Sequence, residues 1–369
     1  MVIGSTIVWM ILVFVSSDTS LHLIIFSSSF IAALPNLIVL MPRIGYTIIA
    51  VIMATSCTLS VILNTTVIVV TFKYRQLRQP INYSLVNLAV ADLGAALLGG
   101  TLNVETNAVG HYNLGRVGCV TEGFAMAFFG IVALCTIAVI AVDRAIVVAK
   151  PLGTLTFTTR KAMIGVAVSW IWSLVWNTPP LFGWGGYQME GVMTSCAPDW
   201  YNSDPINVSY IICYFLFCFT IPFITILVSY GYLLRTLRQV ALAAQRESHP
   251  QGSTTKAEAQ VSRMVIVMVM AFLICWLPYA TFALVVVGNP KIYINPIIAT
   301  VPMYMAKSST FYNPIIYIFM NKQVSLNSVC SIQITSVDIV LQVLYRIRIT
   351  NVSTINPSPS SRYGKVYPI

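Results

Sequence analysis

Pro302-Met-Tyr-Met-Ala-Lys307-Ser-Ser-Thr-Phe-Tyr-Asn313-Pro314-Ile-Ile-Tyr317 places one lysine in the middle of an otherwise uncharged, largely apolar helical stretch. An ammonium near a bilayer centre costs about 2.5–3.5 kcal/mol on insertion scales, so Lys307 requires a carboxylate partner, loss of its proton or a covalent adduct. A lysine desolvated in this way persists as the free amine, which condenses with an aldehyde to a Schiff base. The competing use is a purely structural ion pair, which is the less frequent one at intramembrane depth.

Working outward, the same apolar character runs through the chain. Its 369 residues are 57 % apolar and 9 % charged, and the mean hydropathy is +0.81, which excludes a soluble domain. A span needs about 20 apolar residues, and seven such runs lie at about 44–72, 81–108, 117–148, 162–182, 207–235, 261–287 and 292–319. The expected fold is therefore an all-α membrane protein, a bundle of seven transmembrane helices surrounded by lipid. Residues 43–323 form the bundle, 1–42 an apolar N-terminal segment that is extracellular or processed, and 324–369 an atypical cytoplasmic tail. Residues 1–40 contain no Lys or Arg, so the segment lacks the basic start of a signal peptide.

The formal net charge of +10 could suggest a nucleic-acid partner, but its placement argues for orientation instead. Lys73, Arg75 and Arg78 follow span 1, Arg144, Lys150, Arg160 and Lys161 separate spans 3 and 4, and Arg235, Arg238, Arg246, Lys256 and Arg263 bracket spans 5 and 6. The opposite loops carry only Arg43, Arg116 and Lys291. The positive-inside rule puts the N-terminus outside the plasma membrane and the C-terminus in the cytoplasm. Of the eight cysteines, only Cys119 and Cys196 then lie on the oxidising side, and a disulfide between them is expected. No metal site is expected.

Polar residues inside the spans need partners or a function. Asn64 suits an interhelical packing network, whereas Asp92, an intramembrane carboxylate, suits a switchable one as well. Glu122 lies about one helical turn below Cys119 and is a plausible counterion for Lys307. The disulfide brings Glu190 toward the bundle mouth, although loop carboxylates are usually solvated. Asp143-Arg144 ends span 3, and Glu258 at the start of span 6 is the natural partner of Arg144; such a bridge would open in a switch. Pro278 beside Trp276 kinks span 6 into a hinge. Asn207-Val-Ser209 is a glycosylation acceptor abutting span 5.

Asn64, Asn87-Leu-Ala-Val-Ala-Asp92, Asp143-Arg144, Cys275-Trp276-Leu277-Pro278 and Asn313-Pro314-Ile-Ile-Tyr317, in this order and each on its own span, resemble the rhodopsin class of G protein-coupled receptors over about residues 43–323. Lys307, six residues before Asn313, narrows the resemblance to opsins. Ser169-Trp-Ile-Trp-Ser173, Trp176-Asn-Thr-Pro-Pro-Leu-Phe-Gly-Trp184, Glu190-Gly-Val-Met-Thr-Ser-Cys-Ala-Pro198 and Thr300-Val-Pro-Met-Tyr304 look most like the parapinopsins, non-visual pineal opsins.

The resemblance implies a light-activated receptor, not an enzyme, in a photoreceptor cell membrane. Lys307 would carry retinal as a Schiff base, Glu122 would match the counterion of visual pigments, and Glu190 that of bistable opsins. Met126, Gly130, Phe219, Phe272, Trp276 and Tyr279 would line the retinal pocket. Asp92, Asp143, Arg144, Glu258, Asn313, Pro314 and Tyr317 would form the activation switch. Light would convert 11-cis retinal to all-trans, and the receptor would activate transducin or a Gi-like heterotrimeric G protein and bind arrestin. A short-wavelength dark state with a stable photoproduct is the parapinopsin-like expectation. The chain departs from the family pattern at both ends: residues after Gln323 lack the Phe-Arg start of an amphipathic helix, and the first 40 lack a polar glycosylated stretch. Two alternatives use the same residues differently. A retinal photoisomerase would use Lys307 but has no need of Asp143-Arg144 and Glu258. A receptor for a diffusible ligand would leave Lys307 without a purpose.

Overall fold

A computed structural model of the chain describes residues 40–149, 158–247, 253–289 and 291–320. The N-terminal segment, apart from 40–42, and the tail 324–369 lie outside the described residues. Seven helical elements follow in order: α1, Arg43–Lys73; α2, Pro80–Val109; α3, Gly115–Ala149; α4, Thr159–Asn177; α5, from Pro205–Tyr214 through a π-helical turn at Phe215–Thr220 to Ile221–Glu247; α6, Ser253–Gly288; and α7, Pro296–Lys307 continued by a 3-10 turn at Ser308–Phe311 and Tyr312–Met320. By length and composition α1, α2, α3, α5 and α6 are each able to cross a membrane. The other two are less uniform, because α4 opens with Arg160 and Lys161 and α7 is divided just after Lys307.

Local chemistry explains where the helices stop. Pro80 starts α2, where a missing N–H costs nothing. Gly110, with φ 89°, closes the same helix in the left-handed conformation that glycine adopts without strain. The Arg43 guanidinium donates to the carbonyls of Ala108 and Val109, satisfying the end of α2 from the start of α1. α4 ends at Asn177, shorter than the hydropathy pattern through 182 suggests, because Pro179 and Pro180 cannot continue it and form a 3-10 turn instead. α7 begins at Pro296 and not near 292, since the Asn295 side chain caps it by accepting from the Ile297 N–H at 2.9 Å. α5 and α6 run past the expected 235 and 261 into polar sequence, because hydropathy measures the bilayer and not the helix.

α3 is the central element. Val132, Leu134, Ile137 and Ile140 are buried against Leu88 of α2, Ile226 and Leu233 of α5, Met264 and Met268 of α6, and Tyr317 of α7. The outer face of α4 exposes Ile164, Val168, Ile171 and Val175, an apolar surface suited to lipid.

Between α4 and α5 an antiparallel hairpin, β1 (Tyr187–Glu190) and β2 (Ser195–Pro198), pairs Glu190 with Ser195 and Met189 with Cys196. The Cys119–Cys196 disulfide ties it to α3 as expected. Asn103, Thr106 and Asn107, on one face of α2, hold its turn: Asn103 Nδ2 and Thr106 Oγ1 donate to the Thr194 carbonyl at 3.2 and 2.6 Å, and Thr194 Oγ1 donates to Asn107 Oδ1 at 2.8 Å. From α7, Thr300 Oγ1 accepts the Val192 N–H at 3.0 Å. The hairpin therefore closes one end of the bundle. Asn207, in the acceptor triplet, is only 4 % exposed, and its Nδ2 donates to the Asp199 and Asn202 carbonyls at 2.8 Å each. The nitrogen that a glycan needs is thus committed to the fold.

Cys119→Ser or Cys196→Ser should lower stability by about 2–5 kcal/mol; thermal unfolding of the purified protein checks this, and an unchanged midpoint would contradict it.

Candidate functional site

Lys307 ends the first segment of α7 and is 7 % exposed. Its Nζ donates to Glu122 Oε1 at 2.9 Å and to Ser195 Oγ. Glu122, on the first turns of α3, is fully buried. Ser195 Oγ donates to Glu122 Oε1 at 2.9 Å, Asn103 Nδ2 to the same oxygen at 3.2 Å, and Tyr112 Oη to Oε2 at 3.1 Å. A buried ion pair offsets its desolvation cost only when its remaining hydrogen-bonding capacity is satisfied, and these donors do that for the carboxylate.

Glu190 is organised differently. It is 4 % exposed and accepts from Tyr279 Oη at 2.8 Å, while Tyr279 accepts from Trp200 Nε1 at 2.9 Å. Its Oε1 has no hydrogen-bond partner among the described residues. Burial pushes the Glu190 carboxyl up to about 7, against the opposing pull of the Lys307 charge and the Tyr279 hydroxyl.

Both Glu190 and Lys307 face one cavity, lined almost wholly by apolar and aromatic side chains, as small-ligand sites usually are. Met126, Gly130, Phe219, Phe272, Trp276 and Tyr279 all line it. Phe272 stacks on Trp276 with ring centroids 5.5 Å apart. A Cβ on Gly130 would stand 2.8 Å from the Trp276 ring, so glycine there is what lets the indole approach α3. An apolar cavity lined by one amine and one carboxylate, with a second carboxylate bonded to the amine, suits an apolar molecule with a single amine-reactive group.

Toward the other end of the bundle, Asp92 accepts from Asn313 Nδ2 at 3.0 Å, and Trp276 Nε1 donates to Ser309 Oγ at 3.0 Å. Asn64 Nδ2 donates to the Thr310 carbonyl at 2.9 Å, and Tyr317 Oη to Asn82 Oδ1 at 3.2 Å. These bonds join α1, α2 and α6 to α7 around Pro314, which is buried. Arg144 pairs with the adjacent Asp143, its Nε donating to Asp143 Oδ2 at 2.9 Å. Glu258 is on the opening turns of α6, and its side chain lies outside the described residues.

The sequence matches the family described as 7 transmembrane receptor (rhodopsin family) over residues 63–317. It is 64 % identical to the parapinopsin of Ictalurus punctatus over 284 residues, 77 % of this chain and 81 % of that one. The chain belongs to the opsins. The pinopsin of Columba livia is 49 % identical to this opsin over 282 residues, 76 % of this chain and 80 % of that one. The crystal structure of squid rhodopsin superposes on the opsin with a TM-score of 0.72 at 27 % identity, covering 78 % of this chain and 85 % of that one. The opsin is thus a multi-pass membrane receptor of the light-sensing class.

Sequence reasoning missed Ser195, Asn103, Tyr112 and Trp200 in this opsin. Ser195 was within reach: it precedes Cys196, and Glu122 lies one turn below Cys119, so the disulfide brings the two together. Asn103, Thr106 and Asn107 also share a helical face, which signals a polar contact. Nothing in the sequence marks Tyr112 or Trp200.

Two measurements test this electrostatic arrangement. Glu122→Leu, by leaving a buried ammonium unpaired, should cost about 3–5 kcal/mol of stability in the retinal-free opsin, and adding Lys307→Met should recover part of it; additive losses in thermal unfolding would contradict the pairing. For Glu190 the folded-state value of about 7 lies above the ordinary 4.5, so the native state binds the extra proton. Stability should fall as pH rises from about 4.5 to about 7 and level off above. Glu190→Gln should flatten that slope in unfolding midpoints taken across the range.

Proposed function

We propose that this opsin is a light-activated receptor in which Lys307 holds 11-cis retinal as a Schiff base, with Glu122 and Glu190 as its two counterions. The observation that carries the reading is the Lys307 amine, paired with the buried Glu122 carboxylate, facing an apolar cavity that a second buried carboxylate, Glu190, also lines. Bound there, retinal would supply light absorption and, on isomerising to all-trans, a changed shape inside the cavity.

The chain's own residues supply the rest. Glu122, already saturated by donors, holds positive charge at Lys307 Nζ in a fixed geometry. Glu190, whose Oε1 has no hydrogen-bond partner among the described residues, lines the same cavity and is the group able to take over that charge when the contents of the cavity move. A dark state at short wavelength and a stable, photoreversible product at longer wavelength follow from an exchange of the charge between the two. The 64 % identity to a parapinopsin supports the same reading.

Trp276 is the cavity residue placed to pass on a change of shape. It is wedged between Phe272 and Gly130, tied to α7 through Ser309, and stands two residues before Pro278, where α6 lacks a backbone hydrogen bond. Bending there moves the far end of α6 relative to Arg144 of α3. That movement opens a cleft for a transducin or Gi-like heterotrimeric G protein, and for arrestin afterwards. Lys73, Arg75, Arg78, Arg144, Arg160, Lys161, Arg235 and Arg238 support a cytoplasmic location for this end, with the disulfide-tied hairpin outside a photoreceptor cell's plasma membrane.

The test is the absorption spectrum of the protein regenerated with 11-cis retinal, before and after near-ultraviolet light and again after longer-wavelength light. A short-wavelength band converting reversibly to a stable visible band is expected. Lys307→Ala should give no pigment, and a coloured Lys307→Ala protein would refute the attachment. Glu190→Gln should move the photoproduct toward the ultraviolet; an unchanged photoproduct would return the role to Glu122.

A further inference from the structure

Of the groups that hold the Glu122 carboxylate, one comes from neither a helix nor the hairpin. Tyr112 lies in the short connection between α2 and α3, is half-buried, and is the only described residue bonded to Glu122 Oε2. The other donors, Lys307, Ser195 and Asn103, all converge on Oε1. A carboxylate held through one oxygen can rotate about its last bond, whereas one held through both is fixed in plane and in distance. The connection carrying Tyr112 is itself pinned: Gly110 turns the chain out of α2, and Asn113 Nδ2 donates to Glu105 Oε1 at 3.0 Å on the last turns of that helix.

We propose that Tyr112 is a positioning residue for the counterion: through Oε2 it fixes the Glu122 carboxylate so that Oε1 faces Lys307 Nζ, and its ring closes the extracellular approach to that pair. The proposal deepens the reading of Glu122 as counterion and rests on it for its spectral consequence, but the positioning itself does not depend on a ligand. Burial, the Glu122 carboxylate and, more weakly, Glu105 raise the Tyr112 phenol above its ordinary value, so it remains protonated and a donor under any physiological condition. A hydrogen bond to an ionised acceptor is the stronger kind, and removing it leaves Glu122 Oε2 buried without a described partner.

Tyr112→Phe keeps the ring and deletes the one hydroxyl, so folding should survive it. The first readout is the infrared carboxylate band of Glu122 in the retinal-free protein, identified by its loss in Glu122→Gln. Tyr112→Phe should displace that band. The second is the pigment: with the Oε2 donor gone, negative charge concentrates toward Lys307 Nζ, and the dark form, in which Glu122 holds that charge, should absorb at shorter wavelength. Tyr112→Ala, which removes the ring as well, should bleach several-fold faster in hydroxylamine as the approach opens. An unmoved infrared band would overturn the proposal, as would a lowered melting temperature with spectrum and hydroxylamine rate unchanged, which is the mark of a merely structural residue. Wild-type protein that forms no pigment, with the infrared shift still present, would remove the retinal reading and leave Tyr112 as a positioning residue for an ion pair of other purpose.

Discussion

An ammonium enclosed by helices survives only if its environment supplies opposite charge in the right place, and here Glu122 of α3 supplies it for Lys307 of α7. Several features of the molecule serve that contact. α3 runs through the centre of the bundle, and on its opening turns Cys119 and Glu122 face inward and are buried. The hairpin folds over them and brings Ser195 to the pair. α2 turns a polar face inward at Asn103, which joins Glu122 to the Thr194 carbonyl. Replacing such a pair by apolar residues is often neutral for stability, so its presence speaks for chemistry more than for folding.

The two carboxylates near the lysine differ in their company more than in their burial. Glu122 is surrounded by donors and is structurally complete. Glu190 accepts from Tyr279, has one oxygen without a partner among the described residues, and has its carboxyl shifted to about 7. A site with one settled and one unsettled acid has two ways to neutralise a single positive charge.

The seven spans, the Cys119–Cys196 bond and the pairing of Lys307 with Glu122 were legible because each follows from a large energy: apolar transfer, the redox compartment, or the cost of an intramembrane charge. Features governed by small or long-range terms were not. The π-helical turns at 96–100 and 215–220 shift the register of α2 and α5 by one residue without a local signature. The burial of Glu190 contradicts what loop carboxylates usually do, and comes from a hairpin whose register places Glu190 opposite Ser195. The bonds of Asn207 to Asp199 and Asn202 depend on how one loop folds over the start of α5, which a sequon does not encode.

The disulfide has one more effect on the site. Cys119 precedes Glu122 by three residues and Cys196 follows Ser195 directly, so the S–S bond and the hydrogen bond from Ser195 Oγ to Glu122 Oε1 close a ring of six residues, Cys119, Val120, Thr121, Glu122, Ser195 and Cys196. Within so small a ring the serine hydroxyl meets the carboxylate at a high effective concentration, as in a chelate, and little chain entropy remains to be lost when the bond forms. The covalent link thereby acts as a ruler for an electrostatic site, limiting where the partner of the lysine can stand.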